Sequence, residues 1–379
     1  MTLSRGVPIN RSSRQSNNQS LNTSFFVRLV NPAEDVLRSN IRQGGRTESI
    51  LNPNEFFNNF RRLRDIYSFM DGLVLMYPNL VSVQSIGNTS EKRDMRILRI
   101  SSSQSTTKPI FWIDAGIHAR EWAAPSTALF LAYALVSQYG KQVDVTKIVD
   151  SFEWHILPVA NPDGYEYTFT DDRLWRKTRS RGNHAWCRGV DPNRNFGFHW
   201  GERGTSKNPC SETYAGPKAF SEIETTNMAS HLWNSRQRLL TYVALHSFGN
   251  LWLTPWGFTS NLPTDYDDLV SKARRAADAL QRVHGTKYRV GSSTRVLYAA
   301  AGGSDDWAKG VAGAKYAYTV ELRPSGSGPS GFILRPAEIR PCGLETLAGI
   351  VQLAKDIADP GPPIETRTRQ SRKKSVAIQ

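Results

Sequence analysis

The sequence predicts an α/β fold with a mixed, largely parallel sheet. Three observations carry this. Strand patterns alternate with helical ones along one continuous body. The clearest strand, KPIFWIDAGI (residues 108–117), reads as buried. No internal repeat interrupts the series.

Each element has its own local reason. FFNNFRRLRDIYSFMDGLVLMYP (56–78) repeats apolar residues at spacings of three and four, which predicts an amphipathic helix stopping at Pro78. LVSVQSIG (80–87) and MRILRIS (95–101) alternate like a strand pair around the turn NTSEKRD. PSTALFLAYALVSQYG (125–140) predicts a helix with Pro near its first turn and Gly at its end. FEWHILPVAN (152–161) predicts a strand, ETTNMASHLWNS (224–235) a helix and LLTYVALHSF (239–248) a strand. YDDLVSKARRAADALQRVHG (266–285) predicts a helix ending in Gly, AKYAYTVEL (314–322) a strand, and residues 335–359 the last helix.

The bulk properties bound the rest. At 379 residues with 39% hydrophobic content and ten Trp, the chain can bury an enzyme-sized core. No run approaches 18 apolar residues, so no membrane-spanning helix is expected. The first twenty residues lack an apolar core, so they do not read as a signal peptide. The net charge of +14 admits an acidic partner. The basic residues are scattered, however, apart from RTRQSRKK near the end, and no nucleic-acid-binding pattern accompanies them. Nucleic acid is therefore not an expected partner. Residues 1–53 read as a polar lead-in, 54–357 as the catalytic body and 358–379 as a basic, disordered tail. Three Cys cannot establish a disulfide framework; Cys187 and Cys210 could close a modest loop, leaving Cys342 over.

In open α/β sheets, sites gather beyond the carboxyl ends of strands. The polar residues expected there are His118 and Glu121, Asn161 and Asp163, His246, Glu321 and Arg323. His-x-x-Glu with a distant third His matches a catalytic zinc site of three protein ligands. Taken alone the pair is weak, since a strand-end His is more often simply hydrogen-bonded.

The order of motifs adds weight. GIHAREW, NPDGYEYT, RLWRKTRS, GVDPNRNF, CSETYAG, a His-Ser after a strand, GGSDDW and YTVELR follow one another. Together they resemble the zinc metallocarboxypeptidases of the pancreatic A/B type, over roughly residues 54–357. The resemblance implies about eight strands with helices on both faces, and one Zn2+ held by His118, Glu121 and His246. It implies Glu321 as the glutamate that activates water and Arg176 as the partner of the scissile carbonyl. It implies Asn193, Arg194 and Tyr298 as the grip on the substrate's terminal carboxylate. Arg120 and Arg173 would line the outer approach and the second subsite, Ser247 would also bind substrate, and Asp191 would orient a ligand His. Cys187 and Cys210 match the family's disulfide.

Within GGSDDW, A-like members carry an apolar residue where Asp305 stands, and B-like members carry Asp. The resemblance thus implies a preference for C-terminal Lys or Arg. Leu253, Gly257, Ser293, Ala300 and Gly303 are small or neutral and would leave room for a long side chain. The alternatives are an A-like preference for apolar ends and a catalytically silent peptide-binding homologue. Phe248 replaces a usual Tyr, and Arg323 precedes Pro324, where a cis bond is expected. The expected partners are peptide or protein C-termini, and the expected assembly is a monomer. The cysteine match implies an extracellular protein, in conflict with the missing signal peptide; about fifty leading residues also fall short of a signal plus pro-segment. Asn10, Asn18, Asn22 and Asn88 head glycosylation sequons, relevant if the chain is secreted.

Overall fold

The computed structural model describes residues 52–103, 107–182, 186–326 and 328–359. The expectations for residues 1–51 and 360–379, including three of the sequons and the basic run, concern residues outside these. The described secondary structure runs from Pro53 to Ala358.

Eight strands form one sheet: β1 (Val81–Asn88), β2 (Asp94–Ile100), β3 (Ile110–Ala115), β4 (Glu153–Leu157), β5 (Leu239–Ser247), β6 (Leu251–Thr254), β7 (Arg289–Ser292) and β8 (Tyr316–Leu322). Their order is β1-β2-β4-β3-β5-β8-β6-β7. The central four, β4, β3, β5 and β8, are parallel, and β1, β2 and β6 bring antiparallel pairings to the flanks. Every residue of β3 and β4 is buried, as a parallel sheet covered on both faces requires.

The helices are α1 (Pro53–Phe56), α2 (Leu63–Met76), α3 (Ala123–Gln138), α4 (Val143–Ser151), α5 (Pro162–Thr170), α6 (Ile223–Asn234), α7 (Tyr266–His284), α8 (Ser293–Val296), α9 (Ser304–Gly310) and α10 (Ile339–Ala358). The larger core packs α2, α3, α4, α7 and α10 on one face of the sheet. A smaller core, including Trp112, Tyr242 and Trp307, lies on the other face under α6 and α9. The α7 helix ends at Gly285, whose φ of 79° is the left-handed cap position.

Three local readings need correction. The helix expected from residue 56 begins only at Leu63. Asn58 and Asn59 interrupt it; the Asn59 side chain takes the Phe60 N–H, a local bond that competes with the helical ladder. Asn161 and Asp163 do not face the strand-end cleft. Asn161 caps α5 by accepting from Gly164 N, with Pro162 in the first turn. Asp163 accepts from the Thr89 hydroxyl, Glu91 N and Arg93, pinning the β1–β2 turn. Arg323 turns to Glu338 and Glu345, leaving Glu321 unpaired by it. The Arg323–Pro324 peptide is cis, as expected.

A buried polar cluster lies on the α6 side. His155 Nε2 is 2.8 Å from Glu153 Oε1, and His155 Nδ1 is 3.1 Å from His231 Nε2. Arg99 and Arg238 complete the Glu153 carboxylate. The network assigns Nε2–H to both rings, so His155 donates to Glu153 and accepts from His231. Burial holds both imidazoles below their usual pKa, His231 at about 3. The unfolded chain takes up protons on both below about pH 6.5, whereas the folded chain does not. Stability therefore falls as pH drops from 6.5 toward the folded values. Between pH 7 and pH 5, urea unfolding should show a loss of about 2 kcal/mol from His231 alone, with His155 adding to it in the same direction. His231→Gln should flatten that slope.

Candidate active site

Three strand ends supply the site. After β3, Gly116 turns the chain at φ 64°, where an added Cβ would stand 2.9 Å from the Pro125 ring. This turn places His118 and Glu121 just ahead of α3. His246 lies on the second-last rung of β5, directly paired with Glu321 on β8. The β3–β5 boundary is where strand order reverses, the position at which α/β sheets open a crevice.

His118, Glu121 and His246 are all buried, with one ligand atom from each lying within 4.8 Å of the others. His118 Nδ1 is 2.8 Å from Glu121 Oε1, and His246 Nδ1 is 3.0 Å from Glu121 Oε2. The two Nδ1 atoms face each other at 3.2 Å. His118 Nε2 lies 3.1 Å from Asp191 Oδ1, which places the N–H there and leaves the Nδ1 lone pair free. Ser247 N donates to Glu121 Oε2 at 3.1 Å and steadies the carboxylate. Two imidazole nitrogens and one carboxylate, held together and aimed inward, are the donor set of a catalytic zinc.

Burial pushes the Glu121 carboxyl up, but the charges of His118 and His246 more than offset this and hold it well below its usual range. Burial lowers His246, and Glu121 reverses that, raising it to about 9. Burial, with Arg176 adding to it, lowers His118.

The sequence matches the zinc carboxypeptidase family over residues 66–349. The chain belongs to that family. It is a zinc-dependent metallocarboxypeptidase with one Zn2+ per chain, and it hydrolyses the C-terminal peptide bond of its substrates. It is 48% identical to carboxypeptidase B of Astacus astacus, over 78% of this chain and 96% of that one. It is 41% identical to carboxypeptidase A2 of Mus musculus, over 80% and 71% respectively. Among solved structures, bovine thrombin-activatable fibrinolysis inhibitor, in complex with a tick carboxypeptidase inhibitor, superposes with a TM-score of 0.74 at 35% identity. That match covers 80% of this chain and 98% of the other.

Around the metal cluster of this carboxypeptidase, Asp191 is the next organising group. Its Oδ2 accepts from Arg176 Nε and Nη2 at 3.1 and 2.9 Å, and its Oδ1 accepts from Asn193 N at 3.0 Å. Burial opposes the charge on Asp191, but Arg176, Arg194 and His118 hold its pKa well below the usual range. Asn193 Oδ1 accepts from Ser304 N at 2.9 Å, so the amide NH2 is directed away from α9. Arg194 Nε donates to Gly204 O at 3.1 Å. At Gly204, with φ 77°, an added Cβ would stand 1.9 Å from Ala299 O; at Gly302 it would stand 2.5 Å from Arg194 O. These close approaches lock the Asn193–Arg194 turn against the loop that leads to Asp305.

A cleft of about 540 Å³ brings the metal cluster together with Arg176, Asn193, Arg194, Tyr298, Asp305 and Glu321. Leu253, Gly257, Ser293, Ala300 and Gly303 also line it. Tyr298 stands at the rim, 54% exposed. Sequence reasoning missed Leu297 and Thr319. Thr319 lies two residues before Glu321 on β8, so strand periodicity could have found it. Leu297, in a short irregular turn, carries no such signal.

Three expected residues stand outside the cleft wall. Arg120 lies over the Phe332 ring and pairs with Glu212. Arg173 stacks on Trp122 and donates to Arg120 O and Phe332 O. Ser247 lies behind Glu121. Phe248 packs edge-on against Phe332, with centroids 4.9 Å apart. Cys187 and Cys210 are bonded, and Cys342 is buried and free.

Glu321 is half-buried in the cleft wall, and its desolvation there pushes its pKa up to about 7. Asp305 is raised by burial as well.

A buried trio of ligands links metal loading to stability. With free zinc at a hundred times Kd, the fold should gain about 2.7 kcal/mol, roughly 5–10 °C in Tm, over the chelated protein. Differential scanning fluorimetry with and without chelator checks this. His246→Ala should abolish the difference.

Proposed function

We propose that this carboxypeptidase prefers substrates ending in Lys or Arg. One observation carries the reading. Asp305 lines the cleft, and none of the ion pairs found among the described residues includes it. Its neighbour Asp306 is occupied elsewhere, accepting from Gly257 N and Phe258 N. Burial raises both carboxyls, and Asp305 adds to the rise at Asp306. A cationic side chain entering the cleft supplies the countercharge that Asp305 lacks, whereas an apolar one leaves it buried and alone. The 48% identity to a protein named carboxypeptidase B supports this preference. The 41% identity to carboxypeptidase A2 favours the A-like alternative, which Asp305 opposes.

In this reading the substrate enters carboxylate first. The Asn193 amide, the Arg194 guanidinium and the Tyr298 hydroxyl hold its terminus; the planar fork of Arg matches a carboxylate in a way Lys cannot. Arg176, fixed by two bonds to Asp191, presents its remaining N–H groups to the oxygen that develops charge. Zinc, when bound, acts as Lewis acid on the carbonyl and lowers the pKa of water. Glu321 takes a proton from the attacking water and passes it to the leaving amine. A carboxyl near 7 suits both halves of that transfer. Asp191 keeps His118 in its Nε2–H tautomer throughout.

We also propose that residues 54–357 form the catalytic domain, flanked by a polar lead-in and a basic tail. The Cys187–Cys210 bond supports an extracellular, oxidising location. A monomeric state fits a site completed within one chain.

Steady-state hydrolysis of matched peptides ending in Arg or Phe should favour Arg by at least tenfold, and Asp305→Ile should reverse the order. Equal rates on both peptides in the parent would overturn the preference. Glu321→Gln should lower kcat by about 10²–10⁴ while zinc content, measured by atomic absorption, stays near one per chain.

A further inference from the structure

The two ligand histidines are not supported alike. His118 has Asp191 behind it, but His246 Nε2 has no hydrogen-bond partner among the described residues, although it is buried. If His246 turns its Nδ1 lone pair toward the metal, the ring proton must sit on this orphaned Nε2. A buried donor of that kind needs an acceptor.

One acceptor is unused nearby. Asp114 is fully buried on β3; its Oδ2 accepts from Trp112 Nε1 at 2.8 Å, while its Oδ1 has no partner. Asp114 pairs in register with Ala244 of β5, and His246 is the next residue on the same face of that strand. Asp114 and His246 are thus diagonal neighbours on one face of two parallel strands, with only the small Ala244 side chain directly opposite Asp114. Asp305, the other carboxyl whose charge His246 feels, is itself influenced by the Thr319 hydroxyl and backbone N–H groups. The Tyr242 hydroxyl approaches the Asp114 carboxyl and lowers its pKa as a donor would, although it falls short of strict hydrogen-bond geometry, so it is the rival donor to His246. Burial pushes Asp114 up to about 6, and Tyr242, Trp112 and His246 act against it, so the ring and the carboxyl feel each other's charge.

We propose that Asp114 is the positioning residue of His246, accepting from its Nε2–H directly or through one bridging water and holding the ring in the tautomer that ligates zinc. Two orphans of opposite kind, one donor and one acceptor, meet on one face of adjacent strands. The pair would give each ligand histidine its own carboxylate: Asp191 for His118 and Asp114 for His246. The inference rests on His246 being a ligand, as proposed above.

The test is metal affinity, measured by competition with a chromogenic chelator, with the visible spectrum of the cobalt-loaded protein as a second readout. Asp114→Asn and Asp114→Leu should bind zinc about 10- to 100-fold more weakly than the parent, with Leu the weaker, and should shift the cobalt absorption bands. Tyr242→Phe disturbs the same buried cluster without removing the acceptor, and should bind zinc within twofold of the parent. Affinities within twofold in both Asp114 variants, with unshifted cobalt spectra, would overturn the proposal. So would a Tyr242→Phe loss equal to theirs. If the Leu variant does not fold, the Asn variant decides alone. A parent that binds no zinc, or a His246→Ala variant that binds it undiminished, refutes the ligand reading instead.

Discussion

The buried carboxylate of Asp191 is the constraint on which the rest of the site depends. It is fully enclosed, yet it meets His118 Nε2, two nitrogens of Arg176 and the backbone N–H of Asn193. Burying a charge is costly unless it is paired and its lone pairs are filled, and here both conditions hold. One group thereby ties together the His118–Glu121–His246 cluster, the arginine proposed to face the scissile carbonyl and the turn proposed to grip the substrate's end. Removing it would leave Arg176 as an uncompensated buried cation and His118 without a fixed tautomer.

The sheet supplies the complementary rigidity. His246 and Glu321 sit on paired rungs of two parallel strands, so the spacing between a metal ligand and the proposed base follows from the strand ladder. His118 and Glu121 come from the far side of the topological switch, where Gly116 lets the chain reverse without a side chain in the way. Loops then close the remaining wall. Gly204 and Gly302 let two backbones approach within distances no other residue allows, and this fixes the clamp relative to Asp305. The proposed catalytic and specificity groups are therefore positioned by one rigid body.

Electrostatics separates the carboxyls by role. Glu121, flanked by two imidazoles, stays charged. Glu321, half-buried and beside Glu121, is pushed to about 7. Asp305 and Asp306 share a buried corner, where a second negative charge is disfavoured until a cation arrives. The same chemical group can thus fill three proposed roles, ligand, proton carrier and selective floor, because burial and neighbours differ over a few ångströms.

Much of this was legible in the chain alone. The long helices and central strands follow from periodicity, and the three ligands, Glu321 and Asp305 follow from motifs whose order matched a known family. The helix over residues 63–76 was read too long, because apolar spacing persists through Asn58 and Asn59 while the backbone there is captured by a side chain. The four-residue strands β6 and β7 were missed because so short a run shows no period. Asn161 and Asp163 look like site residues in the chain, but they cap a helix and pin a turn. The sequence by itself determined the element types and the inventory of reactive groups, since these depend on local pattern and residue chemistry. Only the tertiary structure decided which groups meet, that Arg323 turns away from Glu321, and that His246 and Asp114 are left with unpaired atoms on one face. Such facts depend on strand register and loop closure across more than a hundred residues, and no local pattern encodes them.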